Sequence, residues 1–182
     1  MDINNHAYTT LLGSNCLATS GFEILVDVSG WNVSAGSVDC PTISGAISYY
    51  HPMSGKVYML VCHQDIHCLR LTNHLMCFMQ SWMAGFSIND IPKFIVDDPD
   101  EKTHAIIFDD PMNPNEPLIT LLVLKGVTGY LLSRKPIASE YIDESIPHIY
   151  IIIEAPVWEP SQTVSLGQEG AIIDFRGEVI NS

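Results

Sequence analysis

Short apolar runs rich in β-branched and aromatic residues alternate along this chain with clusters of proline, glycine and aspartate. That alternation makes strands its main building element. Phe22–Val28 is one such run. Ile43–Tyr50 and Lys56–Cys62 flank His51-Pro-Met-Ser-Gly55, so the two runs read as a hairpin around a turn. Lys93–Val96, His104–Phe108, Leu118–Leu124, Gly129–Ser133, His148–Ile153 and Ala171–Phe175 are further strand candidates. Between them lie Asp97–Glu101, Asp109–Pro117 and Pro156–Gly167, where breakers concentrate.

One segment departs from this pattern. Leu75, Phe78, Met79, Trp82, Met83 and Phe86 recur with helical period and share one stripe. Thr72 or Asn73 can cap its start, and Gly85 stands where a helix-ending glycine belongs. The stripe reads as a core face. The fold class is therefore mainly β (α+β) with one short helix. A chain of 182 residues accommodates one domain, or one domain with an appendage.

Charge narrows the function classes. Eight Lys and Arg stand against 21 Asp and Glu, a formal net charge of −13, and no cation precedes Lys56. Phosphate neutralisation requires clustered cations, so the composition speaks against nucleic acid and against an anionic membrane surface. Residues 1–20 carry neither a basic segment nor a sustained apolar one, so no targeting signal is expected. The apolar runs fall short of the roughly 18 residues a membrane helix needs. Cys16, Cys40, Cys62, Cys68 and Cys77 are odd in number and irregularly spaced, which reads as free thiols in a reducing compartment. The expectation is an intracellular, cytoplasmic protein.

Two groups of residues invite a chemical reading. His63 and His67 are four apart, with His74 beyond. A zinc-protease helix places Glu directly after its first His as general base, and Gln64 stands there instead. On a helix His74 would lie about 10 Å beyond His67. On a strand His63 and His67 would face one side, about 13 Å apart. They are weak candidates for metal ligands. The acidic clusters Asp97–Glu101 and Asp109–Asp110 lack the turn glycine of a calcium loop and read as solvated loops. No phosphate-binding glycine loop and no nucleophile elbow are present. No cofactor is called for.

Asn4-Asn-His-Ala-Tyr-Thr-Thr-Leu-Leu-Gly13 resembles a degraded aspartic-protease signature. Ala7, Thr9, Leu11, Leu12 and Gly13 fit, and His6 occupies the glycine position. Further matches in order are Val26–Trp31, Pro41–Ala46, His51–Gly55, Ile66–Leu75, Asn89–Lys93, Arg134–Pro136, Pro156–Pro160 and Asp174–Glu178. Together they resemble the protease region, and the stretch after it, of copia-type retrotransposon polyproteins. The resemblance implies a retropepsin-like β barrel over residues 1–88. Residues 89–182 form a β-rich extension without an assigned role, its apolar strands pairing with the first region. It also implies that Ile66–Leu69 is a strand end and that the helix begins near Thr72.

The family's mechanism needs a homodimer in which each chain gives one aspartate. The two carboxyls share a proton; one activates water and the other stabilises the oxyanion. Here the position matching the catalytic aspartate is Asn4. An amide neither shares that proton nor acts as a base. Asn5 replaces the bracing hydroxyl residue, and Tyr8 replaces the second acid. The vestigial motif Asn4, Asn5, His6, Ala7, Tyr8, Thr9 thus implies a pseudoprotease. Two other readings stand beside it. One is an acidic protein-binding module of inhibitor or immunity type, with carboxylates facing a basic partner. The other is a metal-binding protein using His63 and His67.

Overall fold

The computed structural model describes residues 10–28, 38–76, 81, 85–126, 128–152, 172–173 and 179–180. The chain is mostly β. Its centre is the long hairpin of β3 (Val38–Tyr50) and β4 (Val57–His67), in antiparallel register from Tyr50↔Val57 to Thr42↔Ile66. Each outer edge of this hairpin is shared by two strands. On β3 these are β2 (Leu17–Val28) and β10 (Ser133–Arg134), both antiparallel. On β4 they are β11 (His148–Ile152) and β1 (Leu11–Leu12), both parallel. The result is a six-stranded sheet into which β10 and β11, from the second half of the chain, are woven.

A second sheet holds β5 (Ser87–Asn89), β6 (Ala105–Asp109) and β7 (Pro117–Leu121). Two small ribbons complete the described strands: β8 (Val123–Lys125) with β9 (Thr128–Tyr130), and β12 (Ile172–Ile173) with β13 (Val179–Ile180). The sheets are open, and no pairing among the described residues closes a barrel.

Both faces of the central hairpin are covered, which is why it carries near-continuous apolar and small residues. One face presents Ile43, Ile47 and Tyr49 from β3 with Tyr58, Leu60 and Cys62 from β4. These pack with Leu12, Cys16, Ile106, Phe108 and Leu118 into the main core. The other face presents Ala46, Met59 and Val61 under Tyr141 and Ile146. Toward the end of β4 that same face carries Cys40, Ile66 and Cys68 with Leu11, Leu71 and Leu75.

The hairpin turn forms where its breakers predict. Gly55 sits at φ +70°, a region glycine enters without steric cost. The N–H of His51 donates to Lys56 O, and that of Gly55 to His51 O, at 2.8 and 2.9 Å. The His51 ring then ties the turn to β7. Its Nδ1 accepts from the Ser54 amide at 3.2 Å, so the proton is on Nε2, which donates to Ile119 O at 3.1 Å.

Four local expectations are corrected. Lys93–Val96 is not a strand. Pro92, at φ −61°, opens a 3-10 turn over Lys93–Ile95, closed by Ile95 N–H to Pro92 O at 3.1 Å. Leu118–Leu124 is divided between β7 and β8, and Gly129–Ser133 between β9 and β10. The helix does not begin near Thr72. Leu75 exchanges two backbone hydrogen bonds with Leu11, each 2.9 Å, and a backbone used that way cannot enter a helix. Ser81 is helical, and most of the stripe (Phe78, Met79, Trp82, Met83) lies outside the described residues. The helix end follows the sequence reading. Gly85 has φ +90°, and Phe86 N–H reaches back five residues to Ser81 O at 3.0 Å, as in a left-handed glycine cap.

Candidate functional site

Asn4, Asn5, His6, Ala7, Tyr8 and Thr9 lie outside the described residues. Immediately beyond them, β1 is held between two segments of one stretch. Leu11↔Ile66 and Leu12↔His67 pair in parallel on one side, and Leu75 closes on Leu11 from the other. Past β1 the clasp continues. Cys68 N–H donates to Leu12 O, and Ser14 N–H to Leu71 O, each at 2.8 Å. The Asn15 side-chain amide donates to Thr72 O at 2.9 Å, and Gly13 N–H to His74 Nδ1 at 3.1 Å. A Cβ on Gly13 would stand 2.6 Å from Leu71 O and 2.7 Å from Asn73 O. Only glycine permits that approach.

The histidine pair is divided by a bulge. β3 advances two residues from Ile43 to Gly45, while β4 advances three between the partners Asp65 and Cys62. The extra residue shifts the alternation of side chains. Cys62 and Asp65 therefore share the main-core face, and His67 follows Asp65 on it. His63 turns to the opposite face. There its Nδ1 meets Ser44 Oγ at 2.9 Å, and its ring stacks on Tyr150 at 5.6 Å between centroids. The expectation that a strand would keep His63 and His67 on one side is thus corrected. Among the described residues, no three His, Cys, Asp or Glu side chains lie together in a way that could hold a metal ion.

The bulge brings forward a residue the sequence reading passed over. Asp65 is 0% exposed, and neither carboxyl oxygen has a hydrogen-bond partner. Burial pushes its pKa well above the usual carboxylate range. The Cys62 thiol beside it opposes the shift without forming a well-aligned hydrogen bond. Burial also raises the Cys62 and Cys16 thiols, and the nearby Asp65 adds to both shifts. His67 and His74 move the other way. Burial lowers both, reinforced by Lys135 near His67 and by His67 near His74. At neutral pH burial thus favours the uncharged form of all five groups. Such a cluster offers no thiolate nucleophile and no charged dyad.

Lys135 is carried by a segment with its own anchor. The Arg134 guanidinium grips Glu140 through both nitrogens, at 2.8 and 2.5 Å, and holds that carboxyl down at about 2. Ile137 N–H donates to the same carboxylate at 3.0 Å. The bidentate geometry explains arginine in Arg134-Lys-Pro136, since lysine cannot form it.

A signal for Asp65 does exist in the sequence. It is the one acid inside the apolar run from Val57 to Ile66, which also holds His63 and Gln64. Without the bulge, alternation from Tyr58, Leu60 and Cys62 would send it away from the main core. No helix among the described residues is long and apolar enough to cross a membrane. The chain matches no family model, no curated protein and no solved structure.

Proposed function

We propose that this chain is a retropepsin-like domain of copia-type retrotransposon ancestry that has lost peptidase chemistry. The supporting observation is the clasp around β1. Two stretches bearing the resemblance, Leu11–Gly13 and Ile66–Leu75, are far apart in sequence and hydrogen-bonded in space. Gly13 fits there because backbone oxygens crowd it, a physical reason for glycine after the hydrophobic pair. The chemistry is lost at Asn4, where an amide stands in place of the acid. Asp65 does not compensate, because a fully buried carboxyl cannot reach a peptide carbonyl. The barrel over residues 1–88 and a two-fold homodimer belong to the same proposal. Unstructured polypeptides incubated with concentrated protein from acid to neutral pH are expected to stay intact. Cleavage that persists in Asp2→Ala would overturn the loss of activity at Asn4.

A second reading, an acidic protein-binding module, has one observation in its favour. Phe94 and Ile95 are 78% and 62% exposed on the 3-10 turn, beside the exposed acids Asp97, Asp98, Asp100 and Glu101. An apolar knob flanked by carboxylates complements a basic surface with an apolar pocket. Such a partner would be captured at low salt, released at moderate salt, and lost in Phe94→Ser. A chain that captures nothing at low salt would count against this reading.

A further inference from the structure

Among the described residues four cysteines are free and buried, and two of them face each other. Cys40 lies near the start of β3, and Cys68 directly follows β4. Continuing the Thr42↔Ile66 register by two residues sets Cys40 opposite Cys68. Directly opposed residues of an antiparallel pair have Cα atoms about 4.5–5.5 Å apart, inside the roughly 4.4–6.8 Å that a disulfide spans. The two side chains share one apolar cluster with Leu11 and Ile66, and are 2% and 7% exposed. We propose that Cys40 and Cys68 form an oxidisable pair, a site where a small disulfide oxidant such as glutathione disulfide installs an intramolecular bridge.

The exchange balances in two steps. Cys68 is the more exposed thiol and neighbours the exposed Leu69 and Arg70. As thiolate, it attacks glutathione disulfide, forming a mixed disulfide and releasing one glutathione. Cys40 then attacks the Cys68 sulfur and releases the second. The two cysteine protons end on the two released glutathiones. The second step is slow at neutral pH, because burial and a hydrogen bond to Cys68 push the Cys40 thiol up to about 12. Bridge formation therefore accelerates as pH rises. The bridge would join the start of β3 to the segment that clasps β1, adding a covalent tie where only hydrogen bonds and packing act.

The test is made on the whole chain without substitution. Protein treated with glutathione disulfide at mildly alkaline pH is alkylated, digested and mapped by mass spectrometry. The expected product is two hydrogens lighter, with Cys40 linked to Cys68 and with Cys16 and Cys62 alkylated only after unfolding. Its unfolding midpoint rises by roughly 5–15 °C and returns on reduction. A bridge mapping to Cys16–Cys62 or to Cys77 overturns the proposal. So does a glutathione adduct that never resolves, or the same midpoint shift in Cys40→Ser.

Discussion

Replacing Asp65 with valine will stabilise this protein at neutral pH, by about 3 kcal/mol, although it removes an acid from the middle of the sheet. The carboxyl is fully buried with both oxygens unpartnered, so the native state holds it protonated. The unfolded chain ionises it near the ordinary value of 3.8. Between that value and the raised native one, the native state binds the extra proton. Stability attached to Asp65 is therefore complete below the unfolded pKa and is lost as pH rises through the window, by about 1.4 kcal/mol per pH unit. His67 and His74 act in the opposite sense, since their lowered pKa values make the native state lose stability as pH falls below 6.5. Both histidines remain in the variant, so the difference between the two proteins isolates Asp65. Denaturant melts at pH 4 and pH 7.5 decide the matter. The gap between Asp65→Val and wild type should be small at pH 4 and wide at pH 7.5. Asp65→Asn should lose the pH slope, standing near wild type at pH 4 and above it at pH 7.5, but below Asp65→Val at both because it leaves a polar group unsatisfied. An equal gap at both pH values would show that the carboxyl is not held neutral.

Asp65 also marks how far the sequence could be read. The hairpin around His51–Gly55 was legible because proline, glycine and β-branched runs each act within a few residues. The glycine that ends the helix was legible for the same reason, and Gly85 has the positive φ its place in the pattern requires. What could not be read depends on register. One extra residue in β4 sends His63 to one face and His67 to the other, and carries Asp65 into the core. No local propensity announces such a bulge. It emerges from how β3 and β4 align over their whole length. The start of the helix failed similarly. Leu75 has the right period for the helical stripe, but its backbone is taken by Leu11, which is 64 positions earlier in the sequence. Lys93–Val96 failed through a local conflict, as Pro92 set a turn under residues with strand propensity. Of the candidate site, the clasp around β1 was not legible, because it joins stretches far apart in the sequence. The pairing of Cys40 with Cys68 needed the register as well.

The clasp itself is exposed to a sharp test at Gly13. A methyl group there would stand 2.6 and 2.7 Å from two carbonyl oxygens, those of Leu71 and Asn73. Both are backbone atoms, so no side chain can rotate away, and the segment from Cys68 to Leu75 must move as a piece. That movement breaks the bonds from Ser14 and Gly13 to Leu71 and His74, and loosens the Leu11–Leu75 bridge. Gly13→Ala should therefore cost about 3 kcal/mol or more, the upper end for a single added methyl. Gly21 in β2 provides the control. Its added Cβ meets nothing within 4 Å, so Gly21→Ala should be neutral or stabilise by about 0.5–1 kcal/mol. The distinction is also spatial. In Gly13→Ala, amide exchange should quicken first at Leu11, Ser14, Cys68 and Leu75, while the paired strand residues Ala46, Ile47, Leu60 and Val61 in the hairpin centre stay protected. If instead exchange quickens uniformly, or the two glycine variants behave alike, the clasp is not what fixes β1. If it is confined to the clasp, β1 is positioned by the stretch from Ile66 to Leu75.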